Sequence, residues 1–161
     1  MRGASPSLFV CLCLFAPARV EIADLPFDPD SWKPAERVQF HVQENGRDVV
    51  YSGVPLAIVL RDRAKNQDGM AFTRSLADAV IVVGGADDYQ ASVSAAAAWI
   101  DEKGERYILT TERDGKPLDA KHGPVMLAIP AEKKRVRWVR SVVSLGLLQP
   151  PKTDSGKKAH Q

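Results

Sequence analysis

The dipeptide Asn45-Gly46 limits what this chain can become more than any other pair of residues in it. It follows Arg37 to Glu44, where Val38, Phe40 and Val42 share one face and Gln39, His41 and Gln43 the other. That is the two-residue period of a half-buried strand. Asn-Gly accepts the positive φ angles of a type I′ turn, so Arg47 to Tyr51 is predicted to pair back as the second strand of a hairpin.

The rest of the chain continues in short pieces. Ser52-Gly53-Val54-Pro55 ends the second strand, and Pro55 at a first helical position would open a short helix through Ala64 with Leu56, Val59 and Leu60 inward. Arg61 to Gly69 is polar and reads as a mobile loop, and Leu76 to Ala79 as one helical turn. Val80 to Val83 is a β-branched run suited to a strand buried on both sides, with Gly84, Gly85, Asp87 and Asp88 as the turn after it. Tyr89 to Val93 reads as a strand. Ser94 then caps a helix through Ile100 that Gly104 stops.

Arg106 to Thr111 is predicted to be a strand, and Asp114-Gly115 is a second turn signal. Val125 to Ile129 should place Val125, Leu127 and Ile129 inward and end at Pro130. Val136 to Leu147 supplies a last strand region with Val143, Leu145 and Leu147 on one side. The class predicted is α+β: a strand-dominated mixed sheet with a barrel-like core and short helices. With 161 residues, 45% of them hydrophobic, the chain builds one domain and not two.

The N-terminus has Arg2 as a positive region, an apolar run from Leu8 to Ala16, and Ala16 and Ala18 in A-x-A spacing, which reads as a secretory signal over residues 1–18 cut after Ala18. The run is far shorter than the ~20 residues that span a bilayer, so stable membrane insertion is not expected. Both cysteines, Cys11 and Cys13, lie within it. Its removal leaves a mature chain with no thiol for a disulfide, a metal or a nucleophile, and a periplasmic or secreted location. Residues 19–35 read as an extended lead-in anchored by Trp32, 36–148 as the domain, and 149–161 as a disordered tail. The 22 basic and 20 acidic residues give a net charge of +2, which does not imply nucleic acid.

Chemistry-bearing residues are few. Lys133, Lys134, Arg135, Arg137, Trp138 and Arg140 form a basic, aromatic cluster. It reads either as an anion-binding surface, since guanidinium forks suit oxyanions and an indole offers a stacking face, or as a solvated strand face anchored by Trp138. His122, beside Gly123-Pro124, is either a polar contact at a pocket mouth or an exposed turn residue. The histidines are too dispersed to form a metal site by spacing, and Asp87-Asp88 reads as a turn cap before an acid–base pair. No G-x-S-x-G elbow or phosphate loop occurs.

Three blocks, in order, resemble the molybdopterin-binding oxidoreductase domain of the sulfite oxidase type, especially its small stand-alone bacterial versions. YSGVPLAIVL, Tyr51 to Leu60, is similar to the family's aromatic-x-G-V-P-L helix start. Asp88-Tyr89 is similar to its D-G-Y turn without the middle glycine. RDGKPLDAKHGPVMLAIP with RVRWVRSVVSLGL resembles its D-G-x-P-L, G-P-x-R-L and V-K/R-W elements, with Met126 where an arginine is expected.

The resemblance implies a truncated form of that fold, an oxidoreductase ancestry and molybdopterin as the family's cofactor. It makes Arg135, Arg137, Trp138, Arg140 and His122 candidates to meet a pterin, a phosphate or a small anion. The family holds molybdenum through a cysteine upstream of G-V-P-L, and no cysteine occurs from Arg19 to Gln161. The expectation is therefore a member without bound cofactor that keeps an anion- or pterin-sized pocket. One alternative is a redox enzyme or subunit using Ser52 or Asp48 as oxygen ligand, or completed by a periplasmic redox partner. Another is an interaction module docking by the Arg135 to Arg140 strand.

Overall fold

The computed structural model describes residues 21–101 and 103–150. The predicted signal, both cysteines and residues 151–161 of the predicted tail lie outside them. Among the described residues nine strands form two sheets, with three short α-helices between them in the chain: β1 Glu21–Asp24, β2 Val38–Glu44, β3 Arg47–Pro55, α1 Ala57–Ala64, α2 Gly69–Ser75, β4 Val80–Gly85, β5 Gln90–Ser94, α3 Ala95–Trp99, β6 Ile108–Arg113, β7 Lys116–Pro117, β8 Met126–Ala128 and β9 Val142–Gln149. The fold is a strand-dominated α+β domain. The first sheet runs β1-β9-β4-β5 and the second β2-β3-β6-β7, with β8 also on β6. Each of these strand pairs is antiparallel.

The opening hairpin forms in the predicted register, Glu44 opposite Arg47, with Asn45 at φ 52° and Gly46 at φ 78° in the turn. β3 runs four residues past Tyr51. Pro55 therefore pairs with Ile108 on β6 and does not open the helix, which begins at Ala57 with Leu56, Val59 and Leu60 buried as expected. The loop predicted over Arg61 to Gly69 is shorter, because α1 reaches Ala64 and a further helix, α2, starts at Gly69. Asp68 caps α2 by accepting from the Ala71 amide at 2.8 Å. The lead-in adds a strand that its sequence does not suggest, since β1 pairs with β9, and Trp32 is buried in the core as the expected anchor.

Gly84 and Gly85 continue β4 and are not a turn, and Ser94 caps α3 through the Ala97 amide as expected. The main core joins both sheets and the helices through residues such as Leu56, Leu60, Ile81, Leu109, Leu127 and Leu147. A smaller cluster of Val49, Tyr51 and Met126 packs with Phe40, Val42 and Trp138. β8 is consequently buried on both faces, with Leu127 in one cluster and Met126 in the other. The last strand region is shorter than predicted. Residues 131–140 form a series of turns whose one strand-like pairing is the bridge of Val139 to Leu127, and β9 begins only at Val142.

Candidate functional site

A cleft of about 750 Å³ opens where the two sheets meet. Its walls depend on an irregularity in each sheet. In the second sheet Ser52 faces Glu112 and Gly53 faces Thr110, so Thr111 is an extra, unpaired residue. In the first, Gly84 faces Ser144 and Gly85 faces Val142, so Val143 is extra. These are β-bulges, which bend a strand and re-aim its side chains. Both extra residues line the cleft. The second bulge also overturns the prediction that Val143 shares an inward face with Leu145 and Leu147, for Val143 is 63% exposed whereas the other two are buried.

The first bulge turns Thr111 and Glu112 toward the same guanidinium. Arg37 Nη1 donates to Thr111 Oγ1 at 2.9 Å and to Glu112 Oε1 at 3.1 Å, which fixes Arg37 in the cleft wall. Gly53 is required by the close approach of β3 and β6: a Cβ there would lie 2.2 Å from the Leu109 carbonyl oxygen. Across the cleft, Ser141 is held at φ 45°, a left-handed conformation that serine seldom adopts. Its amide donates to the His122 carbonyl at 2.7 Å and its carbonyl accepts from the Ala86 amide at 3.0 Å. Gly123 must also be glycine, since it sits at φ 75° and a Cβ would lie 2.6 Å from the Ser141 Cα.

His122 itself turns aside. Its Nδ1 lies 2.6 Å from Asp119 Oδ1, which also accepts from the amides of Lys121 and His122. The hydrogen bond from the His122 ring, then those from the two amides, hold the Asp119 carboxyl below its ordinary range. Asp119 lines the cleft, and His122, which does not, bonds its carboxylate while its own carbonyl fixes Ser141.

The basic cluster occupies a different place. Arg135, at φ 51°, donates from Nη1 to Glu44 Oε1 at 2.6 Å and lies 4.6 Å from the centre of the Trp138 ring. Trp138 donates from Nε1 to the Ile129 carbonyl at 2.9 Å and meets Phe40 and Tyr51 edge-on. Arg137 pairs with Glu132, Nε to Oε1 at 2.5 Å, and Arg140 is exposed. Residues 132–137 enclose a second concavity of about 410 Å³. The structure thus brings Arg135, Arg137 and Trp138 into one loop, away from the cleft that His122 supports.

Sequence reasoning missed the carboxylate at the centre of this loop's attachment. Glu44, its side chain 15% exposed, accepts from Tyr51 Oη at 2.8 Å, from Arg113 at 2.6 Å and from Arg135 at 2.6 Å. Burial by itself raises its pKa, but these hydrogen bonds and the two guanidinium charges outweigh burial and leave it lowered from the ordinary 4.5. Tyr51 is pushed up to about 12, first by burial and then by its bond to Glu44. A carboxylate with a depressed folded pKa stabilises the fold above its unfolded pKa, and that contribution is lost as pH falls through the folded value. Urea midpoints measured downward from pH 6 should therefore decline below about pH 4.5. Glu44→Gln should flatten that decline, and an unchanged profile would refute the assignment.

A family model described as the oxidoreductase molybdopterin-binding domain matches residues 31–153, most of the chain. The chain belongs to that family. No curated protein matches it. The molybdopterin-binding domain family's sequence blocks acquire a physical meaning here: Pro117 and Leu118 of D-G-x-P-L and Gly123 and Pro124 of the G-P element line the cleft, and Gly53 of G-V-P-L permits the bulge beside it. Asp88, in the block that lacks the middle glycine of the family's D-G-Y, takes φ 63°, the left-handed conformation that aspartate tolerates better than most residues. The next residue, Tyr89, donates its hydroxyl to the Val136 carbonyl and ties this turn to the basic loop.

Among the described residues the donor set does not fit a thiolate-held molybdenum. The chain's two cysteines, Cys11 and Cys13, precede the described residues. Of the oxygen alternatives, Ser52 is buried in β3 and Asp48 is engaged by His41 and Gln43; neither lines the cleft. Among the described residues no three His, Cys, Asp or Glu side chains converge as a metal site. No helix of the described residues is long and apolar enough to cross a membrane.

Proposed function

We propose that this is an exported ligand-binding member of the molybdopterin-binding domain family, one that keeps the scaffold and a pterin- or anion-sized cleft but does not hold molybdenum through protein sulfur. The observation that carries this reading is a mismatch. The family's motif residues Pro117, Leu118, Gly123 and Pro124 wall a cleft of about 750 Å³, within the size range of small-molecule sites, while no thiol follows Cys13. Export rests on the charged, apolar and small-residue regions preceding Ala18, and leaves a mature periplasmic or secreted protein.

The basic loop plays a secondary part in this proposal. Glu44 and Glu132 already engage Arg135 and Arg137, whereas Lys133, Lys134 and Arg140 are exposed and would supply the charge for an anionic ligand or a periplasmic partner. Protein isolated from its native host provides the test. Native mass spectrometry should give a chain beginning at Arg19, and elemental analysis should find molybdenum far below one atom per chain. Stoichiometric molybdenum with a pterin would overturn the cofactor-free reading, and an uncut N-terminus would overturn export.

A further inference from the structure

We infer that the cleft takes a small zwitterion with an apolar body, its carboxylate on Arg37 and its ammonium group on the lining carboxylates Asp30 and Asp119. The inference rests on the reading above that the cleft is a ligand pocket, and it names the chemistry of the occupant. The walls supply the apolar part: Pro117, Leu118, Pro124, Val142 and Val143 come from both sheets and from the turns between strands. Arg37 supplies the carboxylate contact. Only its Nη1 is engaged, by Thr111 and Glu112, and its Nε and Nη2 make no hydrogen bond among the described residues. A guanidinium fixed on one side with its other N–H groups free is suited to a two-point contact with a carboxylate.

The charges decide against a simple anion. Glu112 already balances Arg37 at 3.1 Å, and Asp30 and Asp119 add two further carboxylates to the lining. His122 Nδ1 lies 2.6 Å from Asp119 Oδ1, and that bond holds the Asp119 carboxyl below its ordinary range. A ligand bearing only a carboxylate would meet uncompensated negative charge, and one bearing only an amine would leave the free side of Arg37 unmet. A molecule of zero net charge with both groups answers both requirements. Its amino group would be a strong donor to the two aspartates, and an aliphatic side chain would cover the proline and valine walls.

Leucine, leucinamide and 4-methylpentanoate share one apolar body and differ in which charged groups they carry. Each is titrated into the full mature chain and followed by amide NMR shifts of Thr111, Gly123 and Val143. Leucine should shift these amides saturably and bind at least about tenfold more tightly than either half-molecule, a difference of about 1.4 kcal/mol. Arg37→Gln should bring leucine down to the level of leucinamide. Asp30→Asn with Asp119→Asn should bring it down to that of 4-methylpentanoate, and the unaffected amides report whether each variant is folded. If either half-molecule binds as well as leucine, the zwitterion is refuted and the pocket stands. The same holds if a free pterin moves the amides and leucine does not. If leucine, both half-molecules and the pterin all leave the three amides unmoved at millimolar concentration, the pocket reading fails with it.

Discussion

Gly53→Ala is expected to cost about 3 kcal/mol or more, the upper end of what a single added methyl group does in a packed interior. The clash is with backbone, which cannot rotate away: the new Cβ would lie 2.2 Å from the Leu109 carbonyl oxygen and 2.6 Å from the Thr110 Cα. β3 and β6 would have to part at the bulge, where Thr111 and Glu112 hold Arg37. Gly46→Ala is the natural control. It also sits at positive φ, 78°, but has open space around it, so its cost should stay near the roughly 1 kcal/mol of a left-handed alanine. Urea unfolding of the two variants checks the contrast, and equal losses would show that the bulge is looser than its geometry implies.

The second large effect is expected from Glu44→Ala. Removing the carboxylate leaves Arg113 and Arg135 adjacent without a counter-charge and takes a partner from the Tyr51 hydroxyl. Breaking a fully buried pair costs several kcal/mol; with Glu44 15% exposed, about 2 to 3 kcal/mol is the appropriate expectation. The loss should be accompanied by release of residues 131–140, because Arg135 is that loop's ionic attachment to the hairpin. Faster amide exchange at Arg137 and Trp138 in the variant would report this directly. Exchange unchanged there would mean that Trp138, through Ile129 and the neighbouring rings, and Tyr89, through the Val136 carbonyl, hold the loop without the ion pair.

Parts of the molecule that depend on one local residue choice were legible in the sequence. Asn45-Gly46 specifies its turn because few other residues accept two successive positive φ angles, and Ser94 announces α3 because its side chain caps the next turn. The parts that depend on distant partners were not. Val136, Trp138 and Val139 are residues suited to the predicted last strand region, yet only Val139 finds a pairing partner, and the segment folds as turns. Arg135 is bound by a residue 91 positions away, a relation that no local pattern carries. α2 escaped notice because its seven residues begin with glycine, and its helical signal reduces to the side chain of Asp68. The cleft was hidden for a similar reason: its motif glycines and prolines can be read as turn residues, but which walls they face depends on register.

The two bulges have a consequence for how such a site is inherited. Thr111 and Val143 enter the cleft wall because each is one residue too many for its ladder, and neither position demands a particular side chain to be so placed. Deleting either residue would let its ladder close between the same pairs and remove the side chain that the bulge adds to the cleft wall. The shape of the cleft is thus stored as a count of residues between fixed pairings, while the choice of ligand is left to the side chains that happen to stand there. Substitution can change what the cleft binds without changing the cleft, whereas a single-codon deletion would take out part of its wall.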